Sequence, residues 1–143
     1  GPQPHGLQLW LSSLEQAKVI FAAVNSSLFY LYFVTYSDCF HLSSNVLLSF
    51  PSPPSILADS QMADLGRTLM EELKATSEHK EISTKSGDRI AYVEFNASKC
   101  KPIIDEIDRV LARHYGFTAE ELDYILNYDI KYRRGADEEE SME

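Results

Sequence analysis

From Leu14 to Tyr36 the chain reads LEQAKVIFAAVNSSLFYLYFVTY, without a glycine or a proline and apolar on nearly every side. A helix that is apolar all round is either buried inside a protein or set in a membrane. A membrane span needs about 20 mostly apolar residues. Here Lys18 and the triplet Asn25-Ser26-Ser27 interrupt the run, and no second span or cationic flank comes after it. The expectation is a central buried helix and no membrane partner. Such a helix needs other elements to cover it. With 143 residues, 44% of them hydrophobic, the chain can build one core and is too apolar to be disordered.

Beyond this apolar run the composition changes. Residues 37–55, SDCFHLSSNVLLSFPSPPS, are serine-rich and end in closely spaced prolines, which predicts an extended connector. Within it Val46, Leu47 and Leu48 are expected to form a short strand. Asp59 or Ser60 is placed to cap a second helix, in which Met62, Leu65, Leu69 and Leu73 recur at helical spacing. That helix fades at Ser77-Glu78-His79-Lys80. Residues 81–95 predict a β-hairpin turning at Ser86-Gly87-Asp88, which must pack on a helix or pair with strands elsewhere. Pro102 suits the first turn of a third helix, whose stripe is Ile103, Ile107, Val110, Leu111 and His114 and whose stop is Gly116. Thr118 and Glu121 form a capping box opening a fourth helix with Leu122, Ile125 and Leu126. The predicted class is α+β and mostly helical: a buried N-terminal helix, a proline connector, a second helix, a β-hairpin and a C-terminal helix pair.

Charge divides the chain unevenly. There are 13 Lys+Arg against 22 Asp+Glu, a net charge of −9, yet residues 1–58 carry only Glu15, Lys18 and Asp38. Residues 136–143, ADEEESME, read as an acidic disordered tail. The expected organisation is therefore 1–58, 59–135 and that tail. A net charge of this sign argues against the whole surface serving as a nucleic-acid platform, which needs clustered cations. A local patch is still possible at Lys131, Tyr132, Arg133 and Arg134, where cations and tyrosine alternate and could grip phosphates and stack on bases. Cys39 and Cys100 are too few for a disulfide framework and sit in no zinc-binding spacing, so a reduced, cytoplasmic setting is expected.

Catalytic patterns are scarce. The sequence has no Gly-rich phosphate loop, no HExxH, no GxSxG and no paired-cysteine metal site. Cys39 and His41 are too close in sequence to make a good nucleophile and base. His114, on an apolar stripe, reads as a core or cap histidine. Asp105, Glu106 and Asp108 crowd the early turns of their helix, where its dipole favours acids, and need no catalytic role to account for them. Phe29, Tyr30, Tyr32, Phe33 and Tyr36 could stack on bases, but their place on the most hydrophobic helix favours a core or interdomain role.

Two stretches carry a resemblance. VNSSLFYLYFVTYSDCFHLSSNVLLSFPSP, residues 24–53, resembles the end of the target-recognition region in adenine-specific DNA methyltransferases of restriction-modification systems. SKCKPIIDEIDRVLARHYGFTAEELDYILNYDIKYRRG, residues 98–135, is similar to the C-terminal end of the large single-chain class of the same family. The proline connector followed by a helix also resembles the specificity subunits of type I restriction systems. The resemblance implies a C-terminal, non-catalytic fragment that supports DNA target recognition in an enzyme moving a methyl group from S-adenosylmethionine to adenine N6. It implies DNA and a catalytic methyltransferase domain as partners. The chain opens GPQPHG with no initiating Met, which is consistent with a piece of something longer. The motifs that hold the cofactor and the flipped base are not in this sequence, and Ser52-Pro53-Pro54-Ser55 lacks the aromatic such a motif needs. No catalytic, cofactor-binding or metal-binding residue is therefore assigned here. Lys131, Arg133 and Arg134 are the expected phosphate contacts, with Lys99 and Lys101 as further candidates. Ser43, Ser44 and Asn45 could reach DNA but are better placed to cap the next element. The rival expectation is a small helical protein-interaction module without DNA binding, and a third is a decayed reading frame.

Overall fold

The computed structural model describes residues 7–128, and it is mostly helical with one two-stranded antiparallel sheet. Helices α1 (Leu14–Val24) and α2 (Ser27–Tyr36) are followed by a short α3 (Ser44–Leu48) and a 3-10 turn at Pro54–Ala58. Helix α4 (Ser60–Ala75), strands β1 (Glu78–Ser83) and β2 (Arg89–Glu94), a 3-10 turn at Ala97–Cys100 and α5 (Lys101–Tyr115) come next. Residues 119–128 form α6. The α+β, mostly helical class expected from the sequence is the observed one.

The long apolar run is two helices, bent by 64° at the Asn25-Ser26 break. Asparagine and serine are tolerated inside helices, so their presence alone did not predict the break. It is made by local side chains that take over freed backbone groups and by Asp108 of α5, which accepts from the Ser27 and Leu28 N–H groups. Asn25 Nδ2 donates to the Phe21 carbonyl at 2.8 Å, and Ser26 Oγ accepts from Phe29 N at 3.0 Å as the α2 N-cap. No single helix among the described residues is long and apolar enough to cross a membrane.

A second difference lies in the connector. Val46, Leu47 and Leu48 are helical, not extended. Ser43 Oγ accepts from Val46 N at 3.3 Å, and among the described residues no strand lies alongside to supply a ladder, so a local cap outweighs β propensity. Asp59 caps α4 as expected, accepting from Gln61 N at 2.8 Å and Met62 N at 3.2 Å. Gly116 ends α5 with φ 72°, the left-handed conformation glycine adopts without strain. The Thr118/Glu121 box closes both ways: Thr118 N donates to Glu121 Oε2, and Glu121 N to Thr118 Oγ1.

The core is one cluster built mainly from α1, α4 and α5. Val19, Ala22 and Ala23 meet Met62, Ala63 and Leu69, and Ile107, Val110 and Leu111 close the third side. Ile56 and Cys100, from the two 3-10 turns, join the cluster. The division expected at residue 58 thus runs through a shared core, since α1 packs directly on α4. That contact is close because Gly66 carries no side chain: a Cβ there would run into the Lys18 carbonyl.

The hairpin differs from expectation in its surroundings. It starts at Glu78, pairs Glu78 with Glu94 through Ser83 with Arg89, and turns with Gly87 at φ 89°. Among the described residues it neither packs on a helix nor pairs with a third strand. Every strand residue is exposed except half-buried Lys80. Lys80 bridges Glu94 and Glu78, offsetting two like charges that face each other across the strands.

Candidate functional site

The sequence points to two sets of cations. Lys131, Arg133 and Arg134, with Tyr132 among them, lie outside the described residues. Lys99 and Lys101 sit where the 3-10 turn passes into α5, and they differ in setting. Lys99 is exposed. Lys101 is half-buried and turned inward, its ammonium paired with Asp105 and donating to the Leu126 carbonyl at 3.0 Å. It fastens α6 to α5, which leaves Lys99 the better placed of the two to meet a phosphate.

The acids that crowd α5 are not a cluster. Asp105 holds Lys101, and Glu106 pairs with Arg109 on the solvent side. Asp108 faces the other way and is 2% exposed. Its Oδ1 accepts from Leu28 N at 3.0 Å and its Oδ2 from Ser27 N at 3.1 Å. Three α5 acids with three separate partners make neither a metal site nor an acid/base pair. Among the described residues no group of three or more His, Cys, Asp or Glu is arranged to hold a metal ion.

Asp108 also departs from the expected role, because dipole compensation at the start of α5 does not explain it. It acts on α2, where it takes two of the N–H groups a helix start leaves unpaired. Burial pushes its carboxyl above the usual carboxylate range, against the opposing pull of the Leu28 and Ser27 N–H groups. The signal was present in the sequence. Asp108 lies four residues after Ile104 and three before Leu111, within the apolar stripe, and an acid there needs a buried partner.

The histidines take structural positions. His114 Nε2 meets Asp59 Oδ2 at 2.6 Å and its Nδ1 meets Ser55 Oγ at 2.9 Å. It joins the end of α5 to the cap of α4, as a cap histidine should. Desolvation lifts the Asp59 carboxyl, but hydrogen bonds from His114, Met62 N and Gln61 N together outweigh it and hold it below its ordinary value. His41 Nδ1 lies 3.4 Å from Asp38 Oδ2, while Cys39 directs its thiol to the Val34 carbonyl. Asp38 also accepts from the His41 and Phe40 N–H groups, which lowers its carboxyl and accounts for the turn without catalysis.

The aromatic run divides between core and surface. Phe29 and Tyr32 lie against Phe50 with centroids 5.1 and 5.2 Å apart. Phe50 reaches Tyr115, which stacks on Phe117. Tyr115 Oη donates to the Pro51 carbonyl at 2.5 Å. This ladder ties α2 and the proline connector to the end of α5. Beyond it, a cleft of about 560 Å³ opens between Phe29, Phe33, Leu42, Ile104, Lys101 and Tyr128.

Large apolar side chains are exposed at several positions of the N-terminal half. Trp10 is 87% and Phe40 86% exposed, and Leu14, Tyr36 and Leu48 are also well exposed. Exposed apolar side chains that recur along a nearly uncharged segment suit an interaction surface. No family model, curated protein or solved structure matches the chain.

Proposed function

We propose that this chain is the C-terminal, non-catalytic part of a site-specific DNA adenine-N6 methyltransferase of a restriction-modification system, where it supports target recognition. One observation carries the proposal beyond the sequence resemblance. The two stretches that bear it, residues 24–53 and 98–135, lie far apart in sequence, but 24–53 packs on the described part of the second, residues 98–128. Asp108 holds the start of α2, Phe50 lies against Tyr115, and the Tyr115 hydroxyl holds the Pro51 carbonyl. Segments recruited to one task are expected to form one unit. The exposed apolar side chains of the N-terminal half suit a face that rests on a catalytic domain.

In this role the chain supplies position and charge, not chemistry. S-adenosylmethionine and the flipped adenine would be held by the catalytic domain, because this chain has no Gly-rich loop between a strand and a helix. Lys131, Arg133 and Arg134 would contact phosphates, aided by Lys99. Phosphate contacts add affinity for any sequence and make it salt-dependent. Alanine at all three of Lys131, Arg133 and Arg134 in the parent enzyme should weaken binding equally on specific and non-specific DNA. The slope of log affinity against log salt should flatten by about 0.9 per lost contact. An unchanged slope overturns the assignment.

The second reading, a protein-interaction module without DNA binding, is favoured by the same apolar surface together with the net charge of −9. It gains if the chain captures a protein partner while DNA affinity is independent of these cations.

A further inference from the structure

The hairpin contributes neither a phosphate contact nor a core residue to that function. A two-stranded ribbon exposed on both faces is marginally stable in water and is normally completed by further strands or a packed helix. This one stands clear of the helical body with Ile82, Ile90, Tyr92, Val93 and Phe95 all exposed. A ribbon can also enter the major groove of DNA. Between residues 78 and 94, however, Glu78, Glu81, Asp88 and Glu94 outnumber Lys80, Lys85 and Arg89. The charge is wrong for phosphates.

Its two free edges are unequal. The β1 edge carries Glu78, His79, Lys80 and Glu81 in succession, the kind of charged edge that resists strand pairing. The β2 edge carries no charge from Ile90 to Val93. We propose that the β2 edge pairs with the β2 edge of a second copy of this chain, joining two hairpins into a four-stranded antiparallel sheet.

The run of charged residues disfavours the β1 edge, and on β2 charge removes the register centred on Ala91 while side-chain pairing favours Tyr92 as the centre. Antiparallel neighbours related by a two-fold axis keep their faces, so each possible register is centred on one residue. Centring on Tyr92 places Ile90 opposite Glu94, Ala91 opposite Val93 and Arg89 opposite Phe95, and no like charges meet. Arg89 then lies beside an aromatic ring, and the two tyrosines face each other, both favourable cross-strand pairs. Centring on Ala91 would set Asp88 against Glu94. On β1, centring on Lys80 or Glu81 sets that residue against itself. Centring on His79 would pair Glu78 with Lys80, but Lys80 is already engaged by Glu94 and Glu78 of its own hairpin.

The test is the mass of the 143-residue chain by sedimentation at micromolar concentration. The chain should sediment as a dimer, Tyr92→Lys should halve that mass, and Ile82→Lys, on the same face but at the β1 edge, should leave it unchanged. The arm does not touch the helical core, so far-UV circular dichroism should be the same in all three. A second measurement uses the close approach at the two-fold axis, where facing Cα atoms are about 4.5–5.5 Å apart, within disulfide range. In a Cys39→Ala background, Tyr92→Cys should oxidise to a covalent dimer and Ile82→Cys should not. A monomeric chain overturns the proposal, as does a dimer that survives Tyr92→Lys or cross-linking at both positions alike. These outcomes are independent of the DNA salt slope.

Discussion

At the scale of single residues, Asp108 shapes the fold most. It is buried in the third helix of the core, yet its partners are the backbone N–H groups that open α2, eighty residues earlier in the chain. A carboxylate at a helix start gains from unpaired donors and from the helix dipole together. Removing it strands two part-buried donors. Asp108→Ala should therefore cost about 1–3 kcal/mol in a denaturant titration, with Asp108→Asn intermediate because one acceptor oxygen remains. A variant as stable as the parent would mean that the bend at Ser26 does not depend on Asp108. Asp59 acts at the same scale with a different outcome, since its N-cap bonds to Gln61 and Met62 are local and were readable, whereas the His114 partners Asp59 and Ser55 lie 55 and 59 residues away. Local hydrogen bonds are written in local sequence. The partner of Asp108 was not legible, because nothing near position 108 names position 27.

At the scale of elements, helix ends followed their signals while helix neighbours did not. Pro102 lies in the first turn of α5, and Gly116 and the Thr118/Glu121 box act where a cap should act. Gly66 shows the limit of that legibility. Inside a helix, glycine is about 1 kcal/mol worse than alanine, so propensity alone makes Gly66→Ala stabilising. The α1 backbone reverses the sign, because the new methyl would meet the Lys18 carbonyl and force α1 and α4 apart. The expected result is a loss of about 1–3 kcal/mol, the usual cost of overpacking, read as a lower denaturation midpoint. An unchanged or raised midpoint would show that the two helices can separate freely. The hairpin teaches the same lesson from the opposite side. Its turn and pairing are local and were predictable, whereas its isolation from the helical body was not.

At the scale of the whole molecule, burial and charge follow separate divisions of the chain. The core joins α1 to α4 and α5 across the expected boundary at residue 58, while the nearly uncharged N-terminal half keeps Trp10, Phe40 and Leu48 exposed. A direct measure of that core is thiol reactivity. Cys39 is exposed, whereas Cys100 is fully buried, and burial pushes its thiol pKa up. One thiol should react at once with a water-soluble reagent, and the second only through opening, at a rate that rises with denaturant as global unfolding does. Two rapidly reacting thiols would mean that the contact between the Ala97–Cys100 turn, α4 and α5 does not hold in solution.

The sequence by itself determined the class, the caps and the hairpin turn, since each depends on residues within one or two turns of one another. It also determined the stripe that α5 buries, because the spacing of Ile107, Val110 and Leu111 follows from the helical repeat. The tertiary structure alone decided that Leu14–Tyr36 bends, that Val46–Leu48 coils into a helix, and that the hairpin is left uncovered. It also turned Lys101 inward toward Leu126 and left Lys99 exposed. Each of these depends on a partner distant in sequence, or on the lack of one among the described residues, and residue periodicity carries no record of which distant surfaces will meet.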